Sequence, residues 1–295
     1  MQSVLENRLI TSVLYSAYVL LLAFFMGYYL FPYDKLALYL LRSYAMGAPL
    51  KIQASEIEPG FPPVTLTASH ITLNGGGQYG GKSFAEFTRL AVKPSLLSMV
   101  RGNVDLSAQA DAYGGKVLAH FRRTGGSDFQ WSVELSLAGV NLAQWKEARQ
   151  FWRGTFSGRL DAQVSFSGKP AQWNNSSGTA IVTVNEGMVE GLNGFFIPIN
   201  RLEKCALDVV AKVSDSRLKV ERCRITSAQG SAEVTGVVNL APELGKSGLN
   251  LALKASLDPQ TCKTSGIPFS QLEVRLKGTL ENPRVEFPSP GSPPK

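Results

Sequence analysis

The sequence predicts an all-β protein, in which a mainly antiparallel, elongated sheet follows one N-terminal transmembrane helix. Three observations lead to this fold class. Residues 9–33 carry no charge, apolar and polar residues alternate through most of residues 60–287, and 28 Gly and 16 Pro are spread among many Val, Leu, Ser and Thr. A period of two is typical of strands with one wet face, and Gly and Pro mark the turns between them.

The uncharged segment predicts a membrane anchor, because a spanning helix needs roughly 20 apolar residues. Tyr28, Tyr29 and Tyr33 lie at its end, where amphipathic rings favour the membrane interface. A cleaved signal peptide would have a shorter apolar core and small residues at its exit, but the residues here are bulky. We therefore expect a short N-terminus at 1–8, an anchor at 9–33, a β-rich domain at 34–287 and a Pro-rich disordered tail at 288–295.

The charges beside the anchor leave its orientation open. Arg8 precedes it, and Lys35, Arg42 and Lys51 follow it. A count of cations alone therefore places the following residues in the cytoplasm, but long domains are translocated largely regardless of such counts.

The alternation places one set of apolar side chains on a single face of the sheet. Two arrangements fit this pattern: an open, curved sheet whose apolar face lines a groove, and a compact sandwich in which that face is buried. About thirteen strands spaced by roughly 4.8 Å would give an open sheet a length on the order of 60 Å. The predicted groove-lining residues are Leu106, Trp131, Val133, Leu135, Val164, Phe166, Val234, Leu251, Leu253, Leu272 and Val274.

Three features interrupt the alternation. The apolar phase slips between Ala68 and Ile71, which predicts a bulge or a bend. The apolar residues of 84–91 have helical spacing and predict a helix that ends before Pro94. Short helices are also expected near Leu96 and within residues 141–152.

A phosphate-loop consensus, G-x-x-x-x-G-K-S, is formed by Gly76, Gly81, Lys82 and Ser83. A genuine loop of this kind leaves a buried parallel strand and opens a helix, so that its amides and lysine cradle phosphates. The preceding VTLTASHITL instead alternates like a strand with one wet face. We interpret the match as chance and the segment as a hairpin tip, and we expect no cofactor.

The residues needed for catalysis or metal binding are sparse. The two histidines, His70 and His120, stand apart, and the sequence contains neither C-x-x-C nor G-x-S-x-G. The net charge of +7 comes from Lys and Arg scattered along the strands without interleaved aromatic residues. We therefore expect no enzyme, no metal site and no nucleic-acid partner; a cationic protein beside an anionic membrane explains the charge.

Two of the three cysteines lie on either side of a predicted turn. Cys205 and Cys223 flank Ser214–Ser216, which would place them nearly opposite each other on a hairpin. A cross-strand disulfide would fit an oxidising compartment, and two free thiols packed as small apolar groups fit equally well.

Four segments carry a family resemblance. They are FPYDKL at 31–36, VKPSLLSMVRGNVDLSAQADAYGGKV at 92–117, GTFSGRLDAQVSFSG at 154–168 and GTLENPRVEF at 278–287. Behind an N-terminal anchor and in this order, they resemble the type II secretion system protein N family and, more loosely, the AsmA-like superfamily around it. The resemblance covers nearly the whole chain, although each piece is short.

The resemblance implies a single-pass protein of the bacterial inner membrane with a periplasmic C-terminal domain. It implies no catalytic residues. One expected function is a non-enzymatic scaffold whose partners are the inner membrane and other type II secretion subunits. The alternative is an AsmA-like lipid-binding or lipid-transport protein, which holds acyl chains of phospholipid or lipopolysaccharide on an apolar β-groove. The scaffold requires the apolar residues to be buried against each other, whereas the lipid function requires them to be uncovered.

Overall fold

A computed structural model of the protein describes residues 18–19, 50–60, 65–75, 83–95, 97–98, 101–125, 129–147, 154–169, 176–191, 201–265 and 270–287. Most of these residues belong to one antiparallel sheet of fifteen strands. The predicted β-rich, mainly antiparallel fold is therefore confirmed.

The strands follow one another at short intervals along the chain. Their bounds are β1 Leu50–Gln53, β2 Glu56–Gly60, β3 Thr65–Gly75, β4 Ser83–Pro94, β5 Val104–Ala112, β6 Gly115–Thr124, β7 Gln130–Asn141, β8 Thr155–Gly168, β9 Ser177–Glu190, β10 Arg201–Ser214, β11 Arg217–Ser227, β12 Gly230–Asn239, β13 Gly248–Leu257, β14 Gln271–Thr279 and β15 Pro283–Glu286.

The sheet is a continuous meander. From β3 to β15 each strand pairs with the next strand of the chain, and β1 and β2 pair side by side with β3. His70 lies where β3 changes partner from β2 to β1, and its φ is +50°. This irregularity confirms the bend expected where the apolar phase of the sequence slips.

The sheet is open in the part of the chain that the structure describes. No pairing there joins β15 to β1 or β2, and no second sheet is present. A sandwich would seal its inward side chains, yet only Ser176 and Ser247 among the described residues are less than 2 % exposed. The apolar side chains are mostly half-buried, so the compact sandwich considered above is not formed.

The predicted helix over residues 84–91 is wrong, because this segment is the middle of strand β4. The apolar spacing fits a helix, but hydrogen bonds to β3 on one side and to β5 on the other satisfy the backbone. The structure also has a short helix at Pro259–Ser265, between β13 and β14, which the sequence analysis did not predict.

The other two predicted helices are only partly described. Leu97 and Ser98 are helical. Within residues 141–152 the structure has a 3-10 turn, Leu142–Gln144, in which the Ala143 amide donates a hydrogen bond to Asn141 Oδ1 at 3.0 Å. Residues 146–147 are also 3-10 helical, and residues 148–153 lie outside the described part.

The predicted anchor at 9–33 lies outside the described residues except for Tyr18 and Val19, which are helical and exposed. None of the helices in the described part of the chain combines the length and the apolar character that crossing a bilayer requires. The tail at 288–295 is likewise outside it.

Candidate functional site

The strand register gathers the predicted apolar residues on one face of the sheet. Residues paired across strands share a face, and Leu106, Phe121, Val133 and Phe166 form one such row. A second row joins Val234, Leu253 and Val274. All eleven predicted residues lie on this face, which we call the apolar face: Leu106, Trp131, Val133, Leu135, Val164, Phe166, Val234, Leu251, Leu253, Leu272 and Val274.

The side chains of the apolar face pack against one another but are not sealed by a second layer. Trp131 and Phe166, for example, stack with ring centroids 5.2 Å apart. Ala110, Ala162 and Val274 are at most 7 % exposed, whereas the larger residues around them, such as Leu135, are half-buried. The face therefore presents a broad apolar surface, which is unusual for a protein domain.

One cation interrupts the apolar face. Across β5 to β15, the paired positions of this face are uncharged apart from Arg123. Arg123 lies near the end of β6, and its guanidinium carbon is 4.1 Å from the centroid of the Phe129 ring. Its cross-strand partner is Trp131, whose indole Nε1 is buried and has no hydrogen-bond acceptor.

The opposite face is polar and contains a groove of about 540 Å³ that crosses six strands, β4 to β9. The register arranges its walls as two rows. One row is Ala91, Gln109, Leu118, Ser136, Gln163 and Ile181, and the other is Lys93, Ser107, His120, Glu134, Ser165 and Thr179.

A second groove of about 440 Å³ continues on the polar face to Lys212 and Ser214 of β10. Serine and threonine hydroxyls bond across its strands, as between Ser165 and Thr179 at 2.8 Å and between Ser167 and Ser177 at 3.0 Å. Four predicted apolar residues form part of the floor of these grooves: Val133, Leu135, Val164 and Phe166. Both described grooves thus lie on the polar face, whereas the sequence had placed a groove on the apolar face.

The cluster of side chains that most resembles a general acid–base site is His120 with Asp105 and Glu134, beside the first groove. His120 Nε2 is 2.7 Å from Asp105 Oδ1, and Nδ1 is 4.0 Å from Glu134 Oε2. Ser107 is the cross-strand partner of His120, but no hydrogen bond joins the two among the described residues. A serine nucleophile needs a hydrogen-bonded base, and the hydrogen bond described for the His120 ring goes to Asp105 instead. The described residues also contain no group of three metal-ligating side chains.

The phosphate-loop match falls on the connection between two antiparallel neighbours. Asn74 of β3 pairs with Ser83 of β4, and Ser83 begins a strand rather than a helix. The helix N-terminus that would face a bound phosphate is therefore missing at Ser83. Gly76, Gly81 and Lys82 lie outside the described residues.

The two cysteines are not bonded. Cys223 lies opposite Val209, and Cys205 lies opposite Gly187 on the other neighbouring strand. The tight turn at Asp215 and Ser216 sets this register and offsets the cysteines by four residues, roughly 13 Å along a strand. A disulfide needs Cα atoms within about 7 Å. In the structure none of Cys205, Cys223 and Cys262 forms a disulfide.

A polar cluster around the buried Glu147 carboxylate, which the sequence analysis did not predict, links segments at one end of the strands. The Tyr113 hydroxyl accepts a hydrogen bond from the Glu86 amide and donates one to Glu147, both at 2.8 Å. Trp145 Nε1 donates to the Phe84 carbonyl at 2.9 Å. Burial, together with the Glu147 carboxylate, raises the pKa of Tyr113 well above its usual range, against the lowering effect of the Glu86 amide. In retrospect, the only signal in the sequence is the turn at Tyr113, whose φ in the structure is +51°.

Comparison of the chain with known proteins finds no relative. No protein-family model matches the chain, and neither a curated protein nor a solved structure matches it.

Proposed function

We propose that this protein is a non-enzymatic binding protein of the bacterial cell envelope that holds acyl chains on the apolar face of its sheet. The observation that carries the proposal is the apolar face itself: large aliphatic and aromatic side chains in continuous rows, half-buried, with no second layer over them in the described residues. Of the two functions that the sequence predicts, lipid binding is the one that requires these residues to be uncovered.

The energetics favour an apolar ligand over an empty face. Removing a methylene group from water is worth about 0.8 kcal/mol, so an acyl chain that buries one side of a dozen methylenes against the face gains several kcal/mol. The ligand would also cover side chains that otherwise contact water. In this proposal the segment at 9–33 anchors the sheet to the inner membrane, and the sheet lies in the periplasm.

The test is native mass spectrometry of the full-length protein extracted in mild detergent. We expect a lipid with acyl chains to co-purify at a fixed ratio. Leu251→Glu places a charge on the apolar face and should remove the lipid, whereas Asn250→Glu places the same charge on the other face of the same strand and should not. Circular dichroism checks that both variants are folded. Lipid-free wild-type protein, or equal loss in both variants, would contradict the proposal.

A second candidate function is that of a type II secretion scaffold. The groove across β4 to β9 supports it, because its hydroxyl, carboxamide and charged side chains offer hydrogen bonds to a protein partner and the exposed Leu118 and Ile181 beside them offer apolar contact. The sequence resemblance described above points the same way. In this proposal the apolar face is not the functional surface.

The scaffold is tested by blocking the groove. Ser165→Trp fills it, and Ser231→Trp puts the same side chain on the polar face of β12, away from the groove. Secretion subunits should co-purify with wild type and with Ser231→Trp but not with Ser165→Trp. Normal exoprotein secretion in a strain that lacks the protein would exclude this function.

A further inference from the structure

We infer that the acyl ligand carries an anionic phosphate head group and that Arg123 holds this head at the rim of the apolar face. The inference rests on the proposed lipid-binding function and adds the ligand class to it. Three features around Arg123 support it: its isolation, its position and the unpaired donor beside it.

Arg123 is isolated from carboxylates. Among the described residues it forms no ion pair, although its chain neighbour Arg122 on the polar face lies 3.6 Å from Asp105. Its only described interaction is with the Phe129 ring, at 4.1 Å. A guanidinium that is only half-exposed and pairs with no carboxylate of the described residues favours the approach of an anion.

Arg123 also lies close to the end of its strand, β6, rather than in the middle of that strand. It is paired with Val104, the first residue of β5, on one side and with Trp131, the second residue of β7, on the other. The next row inward is Leu106, Phe121 and Val133, and it is entirely apolar. A ligand with its charge at Arg123 therefore has an uninterrupted apolar surface for its chain, which is the layout an amphiphile requires.

A second hydrogen-bond donor lies beside the cation. Directly opposed residues of neighbouring strands have Cβ atoms about 5 Å apart, so the Trp131 indole shares this site with Arg123. Trp131 Nε1 is buried without an acceptor, and a buried donor of this kind is costly to leave unpaired. For a ligand oxygen to reach this buried donor, the side chains around it would have to move aside. A phosphate can accept from both the guanidinium fork and the indole N–H.

The experiment compares two lipids with the same acyl chain. Lysophosphatidylglycerol has a phosphodiester head, and the matched monoacylglycerol lacks the phosphate. Their affinities for the full-length protein are measured by titration in a non-ionic detergent with native mass spectrometry. We expect wild type to prefer the anionic lipid by roughly tenfold, the order expected for a charge-assisted bond.

Four variants assign the preference to its residues. Arg123→Gln should abolish it while leaving the affinity for monoacylglycerol unchanged, and Arg123→Lys should retain part of it because the charge remains. Trp131→Phe keeps the ring, removes the donor and should weaken the preference. Arg122→Gln is the control, since it removes an equal charge from the polar face of the same strand.

The outcomes separate this inference from the function it rests on. Three results would overturn the head-group assignment while leaving acyl binding intact. Wild type could bind both lipids equally, the preference could survive in Arg123→Gln, or oleate, which carries a carboxylate and no phosphate, could bind as tightly as lysophosphatidylglycerol. Failure to bind any of these lipids would overturn the proposed function itself.

Discussion

The Tyr113 hydroxyl donates a 2.8 Å hydrogen bond to the buried Glu147 carboxylate, across a separation of 34 residues. Tyr113 sits in the two-residue turn between β5 and β6, where both it and Gly114 have positive φ, and Glu147 follows the 3-10 turn after β7. With the bond from the Glu86 amide, this contact joins three segments at one end of the sheet.

Removing the Tyr113 hydroxyl should destabilise the protein. Tyr113→Phe leaves the Glu147 carboxylate, which is 7 % exposed, without its donor, and an unsatisfied buried group costs about 1–3 kcal/mol. Urea denaturation followed by circular dichroism measures the change. Adding Glu147→Met to Tyr113→Phe should recover part of the loss, because the unpaired carboxylate is then gone. Unchanged stability in Tyr113→Phe would show that water replaces the hydroxyl.

Stability should also fall in alkaline solution through the same residue. Burial raises the pKa of Tyr113 in the folded state, whereas the unfolded chain ionises near the ordinary value of about 10. The unfolded state therefore binds fewer protons than the folded state above that pH, and linkage makes stability decline as pH rises further. Below about pH 10 this residue should contribute no pH dependence. The difference between the denaturation midpoints of wild type and Tyr113→Phe should therefore shrink as pH increases beyond 10.

Truncation on the apolar face should cost less than truncation in a sealed core. Leu253 is half-buried between Val234 and Val274, so we expect Leu253→Ala to lose about 1–2 kcal/mol rather than the 2–5 typical of a dry core. Lys254→Ala, on the other face, should change stability by less than about 0.5 kcal/mol. A loss of 4 kcal/mol for Leu253→Ala would mean that a further layer covers the face.

A glycine on the apolar face is required by the close approach of its neighbours. A Cβ at Gly178 would lie 2.5 Å from the Ser165 carbonyl oxygen and 2.9 Å from Phe166 Cδ2. We expect Gly178→Ala to destabilise the protein by about 1–3 kcal/mol through this overpacking. At Gly248 a Cβ would meet nothing closer than 3.9 Å, so Gly248→Ala should be nearly neutral. Equal effects of the two substitutions in a thermal melt would rule out the clash.

The cysteines should react as three thiols. Alkylation of the unfolded, unreduced protein followed by mass measurement should count all three, because the register separates Cys205 from Cys223. In the folded protein Cys205 and Cys223 should be alkylated slowly at neutral pH, because burial raises the pKa of each thiol. The nearby Asp208 carboxylate raises the pKa of Cys223 further. Prior reduction serves as the control. A count that rises on reduction would indicate a disulfide.

The sequence was a good guide to which residues share a face and a poor guide to register. Alternation alone grouped Trp131, Leu253 and Val274 correctly, because each strand turns its apolar residues to the same face and only a slip by an even number of residues keeps them there. The position of Cys223 against Cys205 depended on the length of one turn and on a bulge after Val210, neither of which apolar spacing encodes.

The spacing of apolar residues within one segment also gave a wrong prediction where pairing with neighbouring strands determines the structure. Residues 84–91 fit a helix by themselves, but β3 and β5 pair with both their edges, and this tertiary context determined a strand. The link from Tyr113 to Glu147 and the pairing of Arg123 with Trp131 were invisible for the same reason: each arises from register or turns, not from a pattern within one segment.

The unbroken meander bears on how the protein is made. Each strand from β3 onward finds its partner in the strand synthesised just before it, so few contacts wait for distant parts of the chain. Loop-closure entropy is then paid in small steps, and contacts that are local in sequence favour rapid folding. The sheet can therefore grow one hairpin at a time as the chain emerges, and it needs neither a finished C-terminus nor a late collapse of two halves.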